Sequence, residues 1–132
     1  MKLKELLSDE ILEESGIGKF IGALFNARNE AHRIHLDTES YAQHMALNEF
    51  YDSIIDLADS FAESARGKHG KFVITYDINF QADSALDFIT QFTEWLVNEG
   101  LKLVPEDSYL LNILDEIQTL AYSVKYKIET LK

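Results

Sequence analysis

"AHRIHLDTESYAQHMALNEFYDSIIDLADSFAE", residues 31–63, decides how this chain folds, because its apolar residues repeat with the period of a helix. Leu47, Phe50, Ile54, Leu57, Ala58, Phe61 and Ala65 recur at intervals of three and four, which lays one broad face of a helix over 40–66 against a core. "DTES" ahead of it supplies a break and an N-cap, and Gly67 reads as its stop. Glu49, Asp52, Asp56 and Ser60 fall on the opposite side, so the i, i+4 pair Asp52 and Asp56 reads as a solvated face. His44 sits at the edge of the apolar face, with Asn48, Asp59 and Glu63 on the adjoining border.

The same period extends outward. An acidic segment over 1–16 has helical spacing, and a helix over 17–36 carries Ile17, Phe20, Ile21, Leu24, Ala31 and His35 on one side. "DSALD" opens a helix over 83–99, where Ser84 and Asp87 have nearly the spacing of a capping box. Pro105 is placed as a first-turn proline for a helix over 105–131. Between the second and third helices, residues 68–82 break the rule: in "KFVITYDINF", 71–80, Phe72, Ile74, Tyr76, Ile78 and Phe80 alternate with mostly polar neighbours, the period of an extended segment. The expected fold is all-α in a single domain over 1–132, a four-helix bundle of ferritin-like type with one partly extended crossover between helices two and three.

Composition removes several classes of function. There is no cysteine, which excludes disulfides, thiolate metal sites and cysteine nucleophiles. Acidic residues outnumber basic ones 23 to 12 and the basic residues are scattered, which disfavours binding to DNA or RNA. No apolar run reaches the roughly 20 residues of a membrane span, and "MKLKELLSDEILEE" turns acidic too soon for a secretory signal, so a cytoplasmic location is expected. "SGIGKF" lacks the strand and the spacing of a phosphate-binding loop.

Polar residues on apolar faces need an explanation. Arg28 and His35 fall at the centre of the first helix's apolar face and His32 at its edge. Two readings stand: Arg28 pairs with a carboxylate of a neighbouring helix and His35 is a satisfied core histidine, or the histidines are ligands. A metal centre enclosed within one bundle would need inward Glu-x-x-His motifs, and the last two helices contain no histidine. A site shared between subunits stays open.

The spacing of His32, His44, Asn48, Asp59 and Glu63 resembles the ferroxidase segment of the Dps family, the DNA-binding proteins from starved cells, which have a ferritin-like fold. That family's pattern is a histidine, a second twelve positions on, an aspartate four further, another eleven beyond and a glutamate four after that. Four of the five ligand types agree; Asn48 stands where a carboxylate is usual, Arg33 stands where a tryptophan is usual, and His35 is the alternative first histidine. The resemblance implies a homo-oligomer, at least a dimer, binding iron or another divalent metal, with His32 or His35 and His44 from one subunit and Asp59 and Glu63 from its two-fold mate. The reaction implied is oxidation of Fe²⁺ by a ferroxidase. The basic N-terminal tail that gives some members DNA affinity is absent.

Over its whole length, through "SYAQH", "FYDSIIDLADSF" and "LLNILDEIQTLAYSVKYKIETLK", the chain is also similar to small ferritin-like proteins of tailed phages, which implies a viral protein in a host cytoplasm. The competing expectation is a non-catalytic phage interaction protein that keeps the bundle as a scaffold and meets a protein partner through residues 71–80. A third is a small anionic ligand held by Arg28, Arg33 and the histidines, which the acidic surface disfavours.

Overall fold

Four helices carry the fold: α1, Leu3–Asp37; α2, Tyr41–His69; α3, Ala85–Asn98; and α4, Ser108–Thr130, with a 3₁₀ turn over Gly100–Leu103 before the last. The computed structural model describes residues 3–131, with side chains from residue 16 onward, and among these residues there is no β-strand. The expected helical segment over 1–16 therefore lies outside the described residues at its first two positions and, elsewhere, is known by its backbone alone.

Helix α1 packs on α2 and α3, and α4 packs on the same two, so the bundle runs α1, α2, α4, α3 around its core. Thr38–Ser40 turn the chain directly from α1 into an antiparallel α2. The crossover then returns along α1: Val73 lies over Gly18, Thr75 over Gly22, Ile78 bonds Asn26, and Ala82 meets Glu30 and Arg33. It delivers α3 beside the C-terminal end of α1, parallel to α2. Helix α4 runs back against α2, tied at one end by His69 and Asp107 and at the other by Glu49 and Lys127. The result is an all-α four-helix bundle with a single long crossover.

Aromatic rings from α1, α2, α3 and the crossover meet in the middle. Phe20 of α1 packs on Phe61 of α2 with ring centres 5.0 Å apart. Phe50 of α2 meets Phe88 and Phe92 of α3 edge-on, and Phe80 of the crossover inserts between Phe92 and Trp95. Trp95 is thus part of the core's rim, stacked within 5.9 Å of Phe20.

Three boundaries differ from those the sequence suggests, each for a tertiary reason. Helix α1 does not restart at Ile17; it runs unbroken through Gly16 and Gly18. Those glycines serve close approach instead. A Cβ on Gly18 would lie 1.7 Å from the Val73 carbonyl oxygen, and one on Gly22 would lie 1.8 Å from that of Thr75. Helix α2 passes through Gly67 and ends at Gly70, whose φ of 84° is the left-handed conformation that suits glycine. Pro105 precedes α4 rather than opening it: Asp107 is the N-cap and the carboxylate of that cap is taken by His69 at 2.6 Å. By contrast Ser84 caps α3 as its spacing suggests, accepting from the Asp87 N–H at 3.1 Å while Asp87 accepts from Asp83 N–H at 3.1 Å.

The crossover is extended over 73–75, within the alternation, and there it lies on a helix and not on a strand. Four residues of helix advance about 6 Å and two of extended chain about 6.6 Å, so successive carbonyls of one kind meet successive glycines of α1. Its far end is clamped. Arg33 forks onto both oxygens of Glu30 at 2.8 and 2.9 Å, and the pair takes the Ala82 N–H on Glu30 and the Ala82 carbonyl on Arg33, each at 2.8 Å. The Arg33 hydrogen bonds hold the Glu30 carboxyl below its usual range against the opposing effect of burial, and the Ala82 N–H adds to them.

Candidate functional site

At the tip of the α1–α2 hairpin the chain brings His32 and His35 of α1 together with His44, Asn48 and Tyr51 of α2. Short connection and antiparallel packing put the last turns of α1 against the first turns of α2, so residues nine apart in sequence become neighbours. His35 and His44 then bond each other reciprocally. His35 Nδ1 donates to the His44 carbonyl at 2.7 Å and His44 Nδ1 donates to the His35 carbonyl at 2.8 Å. Because a carbonyl only accepts, both rings carry a proton on Nδ1, and in the neutral form each Nε2 keeps its lone pair.

The rings stack face to face with centres 3.6 Å apart and planes 21° from parallel. A metal lies in the plane of its imidazole, about 2 Å from the nitrogen, whereas planes so disposed meet only on the order of 10 Å away. His35 and His44 therefore do not act as joint ligands of one ion in this arrangement. His35, buried at 8 % exposure, has its hydrogen bond satisfied inside the protein.

Around this pair lies a second layer. His32 stacks on Tyr51 with centres 4.3 Å apart, His35 meets Tyr51 edge-on at 5.2 Å, and the Arg28 guanidinium rests 5.3 Å from the same ring. Arg28 thus leans on an aromatic face and on Asn29, not on a carboxylate of a neighbouring helix. The Tyr51 hydroxyl donates to Asn48 Oδ1 at 2.6 Å, and the Asn48 amide reaches Asp52 at 3.3 Å. Tyr51 has no place among the expected site residues, although its position seven after His44, about two helical turns, was a legible signal.

Asp59 and Glu63 stand apart. Both are exposed on α2, and fifteen residues of helix put Asp59 about 22 Å from His44 along the axis. Asp52 and Asp56 are exposed as well, as their side of the helix suggests. Among the described residues no three histidine, aspartate or glutamate side chains gather as a ligand set. Within one chain the structure brings together His32, His35, His44 and Asn48, and it leaves Asp59 and Glu63 on open surface.

Arg33 belongs to the crossover clamp, which removes it from any anion site with Arg28. No helix among the described residues is long and apolar enough to cross a membrane. The model of a family of unknown function, DUF5856, matches residues 35–128. No curated protein and no solved structure matches the chain.

Proposed function

The chain belongs to DUF5856, a family of unknown function, and from that premise we propose that it is a Dps-like, ferritin-like oligomer that binds a divalent metal such as iron between two copies of α2. The observation that carries this reading is the state of His44. Its Nδ1 is held by the His35 carbonyl, which orients the ring and reserves Nε2 for a ligand, the usual support for a metal-binding imidazole.

The register of α2 supports the same reading. In an isologous contact between antiparallel helices, residues meet when their numbers have a constant sum. His44 with Glu63 and Asn48 with Asp59 share that sum, so one two-fold axis near Ser53 and Ile54 would bring both pairs together. All four lie within about 100° of the helix surface, and Asp59 and Glu63 are exposed to receive a mate. In this reading His44 and Asn48 of one copy, with His32 beside them, face Asp59 and Glu63 of the second. His35 positions His44. Fe²⁺ is the substrate, drawn by the acidic surface, and the chemistry is its oxidation by oxygen or peroxide at an oxygen-rich site weakened by Asn48. A cytoplasmic location, the host's for a phage protein, goes with it.

The test is metal content and Fe²⁺ titration of the purified chain beside His44→Ala/Asp59→Ala, with the mass of each in solution. Metal bound in proportion to chains and lost in the variant at unchanged mass is the expected result; equal metal in both, or none in either, defeats the reading.

One observation favours the alternative of a non-catalytic scaffold with a phage or host protein as its partner. Asn48 is already bonded to the Tyr51 hydroxyl and to Asp52, so the position that departs from the Dps pattern is also occupied internally. Under that reading the partner-facing surface is the crossover over 71–80.

A further inference from the structure

The crossover presents an unpaired backbone edge of a definite parity. The carbonyls of Val73 and Thr75 lie against Gly18 and Gly22 of α1, and Thr75 N–H points to the Gly18 carbonyl at 3.5 Å. In extended chain the peptide groups of successive residues point to opposite edges, so those of Phe72, Ile74 and Tyr76 turn away from α1. Among the described residues, the N–H groups of all three and the Ile74 carbonyl have no partner. The Phe72 and Tyr76 carbonyls have only side-chain contacts, from Arg66 at 3.3 Å and Asn79 at 3.5 Å. The edge is open at Tyr76 and partly open at Ile74, whereas Phe72 is 5 % exposed beneath the Arg66 guanidinium, 4.7 Å from its ring, which pairing there has to displace. Val73 and Tyr76 beside it are 71 % and 57 % exposed.

We propose that this edge pairs with the same edge of a second copy, antiparallel and centred on Ile74. The parity fits: with Ile74 opposite Ile74, the hydrogen-bonded pairs of an antiparallel ladder fall on Ile74 and on Phe72 with Tyr76, the residues whose peptide groups are turned outward. The charges fit as well. Lys71 and Asp77 are exposed and have no ion-pair partner among the described residues, and this register sets Lys71 of each copy opposite Asp77 of the other. Shifting the register by two residues loses both charge pairs, and by one turns every side chain to the wrong face. The occupant is therefore a second copy of this chain and not a foreign strand. This pairing does not depend on any metal at α2.

The absence of cysteine makes a direct test available. Ile74→Cys should form a covalent dimer on mild oxidation, since residues opposite each other in such a pair have Cα atoms about 5.5 Å apart. Asp77→Cys should not, because the two copies of position 77 would lie about 20 Å apart. Adding Lys71→Asp to Ile74→Cys should slow cross-linking about tenfold, and adding Asp77→Lys as well should restore it. Sedimentation equilibrium of the Lys71→Asp and Lys71→Asp/Asp77→Lys chains, both altered only at exposed positions, reads the same effect without a cysteine. Cross-linking at 77 as fast as at 74, no dimer at 74, or indifference to both charge changes overturns the pairing. So does an Ile74→Cys chain that couples to another polypeptide in preference to itself. Metal content is expected to be unchanged in all these variants, so failure here and failure of the α2 reading are separately visible.

Discussion

Replacing Gly22 by alanine should destabilise the protein, although alanine is the better helix former. In the middle of α1 the exchange gains up to about 1 kcal/mol from backbone entropy and helix propensity. Against that, the new Cβ would sit 1.8 Å from the Thr75 carbonyl oxygen and 2.8 Å from its carbon, backbone atoms that cannot rotate aside. Real Cβ contacts essentially never fall below 3.0 Å, so the crossover must lift by more than an ångström along a line where Ile74, Ile78 and Phe80 pack on the core. Overpacking of this kind costs roughly 1–3 kcal/mol or more, and the net effect should be a loss of about 1–2 kcal/mol. For a chain of this length that is roughly a 3–8 °C fall in Tm. The internal control is Gly67→Ala in α2, where nothing lies within 4 Å of the new methyl group and the helix simply gains about 0.5–1 kcal/mol. Thermal melts followed at 222 nm, with urea midpoints for both variants, decide it. If Gly22→Ala stabilises the protein as Gly67→Ala does, the crossover does not rest on α1 and the account given for the glycines fails.

Further outcomes follow from named contacts. Glu30 is held below its ordinary carboxyl value by Arg33, so its contribution is complete above the unfolded value of about 4.5 and fades as pH falls below it; Glu30→Gln should lower the urea midpoint at pH 7 and flatten its decline as pH falls below about 4.5. Tyr51→Phe removes the hydroxyl bonded to Asn48 and should cost about 1 kcal/mol in urea unfolding while leaving the ring stack with His32 in place. Ser84→Ala removes the cap of α3 and should cost about 1 kcal/mol, whereas Ser84→Asp should cost almost nothing.

The helices were legible because a buried face leaves its period in the sequence whatever it packs against. Leu47 through Ala65 needed no partner to be read, and the alternation of Phe72 through Phe80 announced an extended segment equally well. What could not be read was the surface that segment lies on. Gly16, Gly18 and Gly67 carry the local signature of helix ends, but in α1 the missing side chains admit another backbone, and nothing in the neighbouring residues distinguishes the two uses. The histidines show the same limit. A helical wheel places His35 and His44 correctly on their own helices, yet their mutual hydrogen bonds depend on how two helix ends meet across a three-residue turn. Arg28 was expected to seek a carboxylate because a charge on an apolar face needs company; Tyr51 supplied it without a charge of its own.

The seating of the crossover on α1 also governs how the chain tolerates changes in length. One residue inserted between Val73 and Thr75 would turn the Thr75 carbonyl away from Gly22 and exchange inward for outward side chains as far as Tyr76. One residue inserted between Gly18 and Gly22 would swing the second glycine about 100° around the helix and put a side chain under Thr75 instead. Two residues added between Val73 and Thr75 could keep this seating only with four added between Gly18 and Gly22, and then only over a short run, because the two repeats differ by about a tenth. The five residues from Gly18 to Gly22 and the three from Val73 to Thr75 are therefore coupled in number as well as in contact, so related chains that differ in length there should do so in both segments at once.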